Sequence, residues 1–201
     1  MSTSIIVAFI TGVLGPILIL FIKNKLDKKP EKPDMVLDTL QVSEHIMTKL
    51  EHIKDEFKSD RVWITQFHNG GNFYPTGKSM AKFSVMYEVV GPGIQSVQTN
   101  FNNIPVNLFS RSINQLLEND VIEIPDYKDE TVATFGLKYI AEDTGCKSGY
   151  LFAIKTIDDK FIGTLGLDFT KRKTKLDVES INHLQQHSAS IGGVLMSHLS
   201  K

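Results

Sequence analysis

The chain has 201 residues, with 22 basic and 23 acidic side chains and a formal net charge of −1. No basic stripe stands out beyond Lys171 to Lys175 (KRKTK), so this balance argues against nucleic acid as a partner. A single cysteine, Cys146, excludes an intramolecular disulfide and fits a reducing compartment.

Residues Ile5 to Ile22 (IIVAFITGVLGPILILFI) carry no charged side chain. At about 1.5 Å per residue the run is just long enough to span a bilayer as one helix. Met1 to Ser4 has no basic residue, and Leu20-Phe21-Ile22-Lys23 offers no small-residue cleavage site. Residues 1–23 therefore read as a retained transmembrane anchor and not as a signal peptide. Gly12, Gly15 and Pro16 interrupt the run, which lipid tolerates where neighbouring groups satisfy the freed backbone. Lys23, Lys25, Lys28, Lys29 and Lys32 follow the run and no lysine precedes it. That asymmetry predicts a single-pass protein of the inner (cytoplasmic) membrane with its globular part in the cytoplasm.

Residues 24–34 form a charged linker whose Asp27 to Asp34 segment (DKKPEKPD) is broken by Pro30 and Pro33. A helical pattern follows over residues 35–58, with Val36, Leu40, Met47, Leu50 and Phe57 in a 4-3 rhythm and Val42, Ile46 and Ile53 broadening the stripe. About three heptads is near the lower limit for a coiled coil. Either the helix lies against its own domain, or it pairs with the same helix of a second copy and makes a homo-oligomer. A shared membrane plane would lower the entropic cost of pairing.

From residue 59 the period changes. Arg61 to Phe67 (RVWITQF) is β-branched and aromatic, and Met80 to Val90 alternates, with Ala81, Phe83, Val85, Tyr87 and Val89 on one face. Between them His68 to Gly77 (HNGGNFYPTG) reads as an extended hairpin loop. Val106 to Glu118 reads as a short helix with Phe109, Ile113, Leu116 and Leu117 inward, and Val121 to Ile124 as a brief strand. A second helix is predicted over Glu130 to Glu142, with Gly145 placed to cap it in a left-handed conformation. Ser148 to Thr156 and Lys160 to Thr170 form the clearest hairpin, turning at Asp158-Asp159. The last helix has Asp177 as N-cap, Leu176 and Ile181 at staple spacing, and Ile181, Leu184, Ile191 and Leu195 as its buried stripe.

This order predicts an α+β fold, an antiparallel sheet flanked by helices and preceded by one N-terminal transmembrane helix. Lys160 to Leu195, with its glycine-punctuated strand, short connector and amphipathic helix, resembles the end of a GAF domain, and the likeness extends less tightly over Val42 to Ser197. Residues 59–201 would be that GAF/PAS-like domain. Gln66-Phe67-His68-Asn69-Gly70-Gly71 together with Asn103-Ile104-Pro105-Val106-Asn107-Leu108-Phe109 resembles membrane-anchored tailed-phage and phage-derived proteins with one GAF-like domain, some labelled holins and similar in plan to the T-even phage holin. In that holin the globular domain faces the periplasm, the opposite of what the lysines indicate here. By the GAF resemblance, a small molecule would bind between the sheet and the segment Gly91 to Gly145.

The best local candidate for a ligand site is His68, Asn69, Gly70 and Gly71, where exposed backbone N–H groups can hold an anion or polar ligand, with Phe73 and Tyr74 as an apolar wall. The competing reading is a strand-end turn in which His68 packs. His183 and His187 sit four apart on a helix, but no H-E-x-x-H and no third ligand accompany them, so no metal site is assigned. No P-loop, G-x-S-x-G elbow or G-x-G-x-x-G appears, which argues against catalysis and leaves the cofactor unknown. The expected function is a membrane-anchored sensor or protein-interaction module binding a small molecule or a protein, with a phage holin that times lysis as the alternative.

Overall fold

The computed structural model describes residues 2–26, 35–73, 75–129 and 135–199, and these divide into two compact units, residues 1–38 and 39–201. In the first unit Pro16 sets the course of the apolar run, because it has no N–H to give Gly12. Helix α1 (Ser2–Phe9) passes into a π-helical turn at Ile10–Leu14 before α2 (Gly15–Leu26), and the Gly15 N–H bonds to the Ile10 carbonyl across the wider turn. The single helix expected over Ile5 to Ile22 is thus divided. Among the described residues no helix is long and apolar enough to cross a membrane. The run nonetheless leaves Val7, Phe9, Ile10, Ile17, Leu18, Ile19, Leu20 and Phe21 exposed. Lys28, Lys29 and Lys32 lie outside the described residues.

In the second unit, six strands form one sheet in the order β3-β2-β1-β6-β5-β4. They are β1 (Arg61–Asn72), β2 (Ser79–Val90), β3 (Ile104–Pro105), β4 (Val121–Ile124), β5 (Ser148–Lys155) and β6 (Phe161–Phe169), and every neighbouring pair is antiparallel. Helix α3 (Met35–Glu56) lays Ile46, Leu50 and Ile53 on one face of this sheet at 0% exposure, with Val42 and Phe57 alongside. The inward stripe therefore combines Leu50 and Phe57 of the 4-3 rhythm with the broadening residues Val42, Ile46 and Ile53. Leu40, in the heptad pattern, is 60% exposed.

Helix α6 (Val178–Leu199) covers the same face. Asp177 caps it by accepting the Ser180 N–H at 2.8 Å, as its sequence predicts. Ser188 Oγ donates to the Ala153 carbonyl, and a Cβ at Gly192 would stand 2.3 Å from the Lys155 carbonyl oxygen, so glycine lets α6 lie close on β5.

A β-bulge alters the expected faces of β2. The register steps from Ile64 opposite Tyr87 to Thr65 opposite Val85, which leaves Met86 as the extra residue. Val85 consequently joins the cluster on the far side of the sheet, where Phe83 packs on Phe109, while Tyr87 and Val89 pack with α3 and α6. Strict alternation cannot anticipate such an insertion.

The far side is covered by a 3₁₀ turn at Val106–Phe109, helix α4 (Ser110–Asn119) and helix α5 (Phe135–Thr144). The backbone of Phe109 departs from helical geometry, so the helical phase restarts at Ser110. Leu116 is buried as expected, but Leu117 turns outward. The expected start of α5, residues 130–134, lies outside the described residues. Its end is as read: Gly145 has φ +65° and the Cys146 N–H reaches back to the Ala141 carbonyl.

Candidate functional site

A cavity of about 50 Å³ lies between the sheet and the 91–145 segment. From the sheet it is lined by Trp63, Thr65, Phe67, Phe83, Val85, Leu151 and Thr164, and from the segment by Val97, Phe101, Phe109, Ser112, Ile113, Leu116 and Leu137. Trp63, Thr65 and Phe67 reach it because alternate residues of β1 share a face. Phe83 takes the edge of the Phe109 ring at 5.2 Å between centroids, and Phe67 takes that of Phe161 at 4.9 Å. The wall is apolar, and its hydroxyls are those of Thr65, Ser112 and Thr164. By the ~10–15 Å³ that one water needs, the volume admits about three to five water-sized groups.

A buried charge network fixes one wall. Arg61, fully buried at the start of β1, places Nε 2.7 Å and Nη2 2.6 Å from Asp168 Oδ2 on β6. Trp63 Nε1–H donates to the same oxygen at 2.8 Å, so the ion pair orients a cavity-lining indole. Arg61 also donates to the Gln95 carbonyl and to Thr144 Oγ1, which ties the loop after β2 and the end of α5 to the sheet. Burial alone would lower the Arg61 pKa, but Asp168 beside it holds the value above its ordinary one. Burial, and then the Asp168 charge, pushes the Tyr127 phenol and the Cys146 thiol well up. Cys146 is thus a protonated, buried thiol whose Sγ donates to the Ser148 carbonyl at 3.3 Å, and it is not poised as a nucleophile.

The residues singled out in the sequence lie elsewhere. His68 to Asn72 continue β1, pairing across to β2 with an irregularity between Asn69 and Asn72, so the expected long loop shrinks to the turn after Asn72. Gly71 takes φ +104° at that irregularity. A Cβ at Gly70 would run into the Lys82 side chain, and Phe73 is 49% exposed. Tyr74 lies outside the described residues. None of His68, Asn69, Gly70, Gly71 and Phe73 lines the cavity. His68 Nε2 is instead 2.9 Å from Ser84 Oγ, which accepts the Asn103 N–H at 2.9 Å. The two segments that carry the narrower sequence likeness therefore meet on one hydroxyl, beside the point where β3 joins β2.

His183 and His187 on α6 find neighbours that sequence spacing could not supply. His52 and Glu56 on α3 stand beside them, with His183 Nδ1 2.8 Å from Glu56 Oε1. The cavity lining was equally hidden: Thr65 and Thr164 are ordinary strand residues until the sheet order sets β1 against β6.

No protein-family model and no curated protein sequence matches the chain. Solved structures do. The chain is similar to a far-red cyanobacteriochrome photoreceptor, with a TM-score of 0.63 and 13% identity over 94% of this chain and 99% of that one. It is similar to the phycocyanobilin-bound GAF domain of a cyanobacterial phytochrome, with a TM-score of 0.63 and 15% identity over 83% of this chain and 94% of the other. The blue-light absorbing form of the PixJ GAF domain of Thermosynechococcus elongatus matches with a TM-score of 0.62 and 11% identity over 77% and 84%. These neighbours give no support to the phage or holin likeness. At such identities they establish the fold alone: an antiparallel six-stranded sheet with flanking helices, in the form of a GAF domain.

Proposed function

We propose that the chain is a ligand-sensing GAF module, a sensor and not an enzyme, held at a membrane by its N-terminal apolar run. The observation that carries the sensing role is the cavity between the sheet and α4 and α5. Its walls are apolar with three hydroxyls, which is the chemistry of a site for a small, mainly apolar molecule that can offer one polar group. Phycocyanobilin, which is bound in the similar GAF domain of a cyanobacterial phytochrome, is far too large for about 50 Å³. Membrane tethering is supported by the uncharged stretch Ile5 to Ile22 and by the exposed large apolar side chains along it. The lysines after the stretch support a cytoplasmic location for the domain. An alkaline-phosphatase fusion after Lys201 would be silent if that orientation holds, and activity would reverse it.

Pyrrole serves as a probe of the cavity, being small and apolar with one N–H. Thermal melts of the full chain in detergent micelles should rise with pyrrole concentration, as mass action requires of any ligand that binds only the folded state. The variant Thr164→Ile exchanges a hydroxyl of the cavity wall for an ethyl group; it should fold, and it should lose most of the pyrrole response. A native chain whose melting point is unmoved by pyrrole, or a Thr164→Ile chain that responds as fully as the native one, would remove the cavity as a ligand site.

A further inference from the structure

We propose that His52, Glu56 and His187 bind a divalent transition-metal ion, with zinc as the best fit, and that the ion clasps α3 to α6. The spacing of four that puts His183 and His187 on one face of α6 recurs in His52 and Glu56 on α3. Two helical pairs thereby face each other. His52 Nδ1 lies 3.3 Å and His187 Nε2 lies 3.5 Å from one atom, Glu56 Oε2. One ligand atom from each of the three residues falls within 4.8 Å of the others. In a tetrahedral zinc site with bonds of about 2.0–2.1 Å the ligand atoms stand about 3.4 Å apart. Closure therefore needs a shift of about 1 Å, which rotation of the exposed His52 side chain supplies.

Three features point to a ligand and not to a casual surface cluster. His187 Nε2 is shut off from solvent and makes no hydrogen bond among the described residues. His183 Nδ1 holds the other carboxylate oxygen, Glu56 Oε1, at 2.8 Å, which leaves Oε2 directed at the two imidazoles. That is the outer-shell hydrogen bond by which metal sites fix a ligating carboxylate. The Phe57 ring packs against both His183 and His187 with centroids at 6.0 and 6.4 Å, and this limits their rotation. Two imidazoles and one carboxylate suit zinc and its first-row neighbours, whereas calcium and magnesium call for an all-oxygen shell. Solvent fills the fourth position on the side of the exposed His52.

The full chain in detergent micelles, stripped with a chelator, is titrated calorimetrically with zinc chloride. One zinc per chain is expected, together with a higher melting temperature. Glu56→Gln keeps the size of the side chain, and His52→Ala alters only an exposed position; each should weaken zinc binding by about a hundredfold. His45→Ala, at another exposed histidine of α3, should leave binding unchanged. Absence of stoichiometric binding would overturn the site. So would native-like affinity in His52→Ala and Glu56→Gln, or an equal loss in His45→Ala.

Discussion

On the face of the sheet under α3 and α6, Ile46, Leu50, Ile53, Ile64, Phe152 and Leu165 are all at 0% exposure, whereas the face under α4 and α5 keeps a cavity of about 50 Å³ and buries an ion pair. The difference follows from what covers each side. Two helices of 22 residues apiece carry continuous aliphatic stripes and glycine or serine where close approach is needed, so they fill their face. Helices α4 and α5, of 10 residues each, hang on irregular chain and leave unfilled space beside the buried Trp63 and Thr65. A fully packed layer provides stability and an incompletely packed one provides room for a ligand.

The sharpest way to break the less well-packed face is through its charge pair. Asp168→Ala would leave the Arg61 guanidinium buried without its counter-charge and the Trp63 N–H without its acceptor. A loss of about 3–5 kcal/mol is expected, read by urea unfolding of the full chain in micelles. A loss below about 1 kcal/mol would show that water enters and replaces the carboxylate, and that the wall is softer than its hydrogen bonds imply.

The comparison is tested more directly by truncating one aliphatic residue on each face. Leu50→Ala, on the filled side, should cost about 2–5 kcal/mol because the helix cannot collapse into the space left. Ile113→Ala, half-buried beside an existing cavity, should cost less than half as much. Equal losses would mean that the two faces are equally well packed.

Much of this contrast could be read from the residues alone. The terminal hairpin, the Asp177 cap, the Gly145 stop and the stripe of α6 are short-range signals, and the chain follows them. The bulge at Met86 was not legible, because one inserted residue changes no composition and breaks no period until the partner strand is known. The GAF resemblance implied the place of the cavity, between the sheet and residues 91–145, but the same reason hid its lining, which joins β1, β2, β5 and β6 to α4 and α5. His68 drew notice for its side chain and its glycine neighbours, yet the hydrogen bond it makes is to Ser84 across the hairpin.

That contact supplies a smaller test. His68→Ala removes the part-buried hydrogen bond to Ser84 and a long, exposed one to the Asn69 carbonyl, while Ser84 keeps the Asn103 N–H, so about 1 kcal/mol should be lost. The pyrrole response should persist. Its disappearance would restore the His68 to Phe73 arm as part of a ligand site.

Acid unfolding isolates a weaker contribution at the end of the two central strands, β1 and β6. The Asp60 carboxylate accepts the N–H groups of Thr170 and Lys171 at 2.8 and 3.0 Å. Burial alone would raise its pKa, but these bonds and the Lys171 charge hold it below the usual carboxylate range. Because the folded value is the lower one, the stabilisation is complete above about pH 4 and is lost as pH falls through the folded pKa. Asp60→Asn should therefore show a flatter acid limb than the native chain in urea midpoints measured from about pH 5 to about pH 2, that is, from about one unit above the ordinary value to about two below it. Parallel limbs would show that Asp60 titrates alike in both states.

The smallest effect on stability is expected at Leu40, and there the two sides of α3 itself are compared. Leu50 belongs to the core of its own domain, so Leu50→Asp should unfold the chain whatever its assembly state. Leu40 is 60% exposed, and Leu40→Asp should change stability by no more than about 0.5 kcal/mol. If copies associate through the outer side of α3, Leu40→Asp should nonetheless shift the sedimentation of the full chain in micelles from dimer toward monomer. A native chain that sediments as a monomer at high concentration would confine α3 to covering its own sheet, and the exposed part of its stripe would then have no role in self-association.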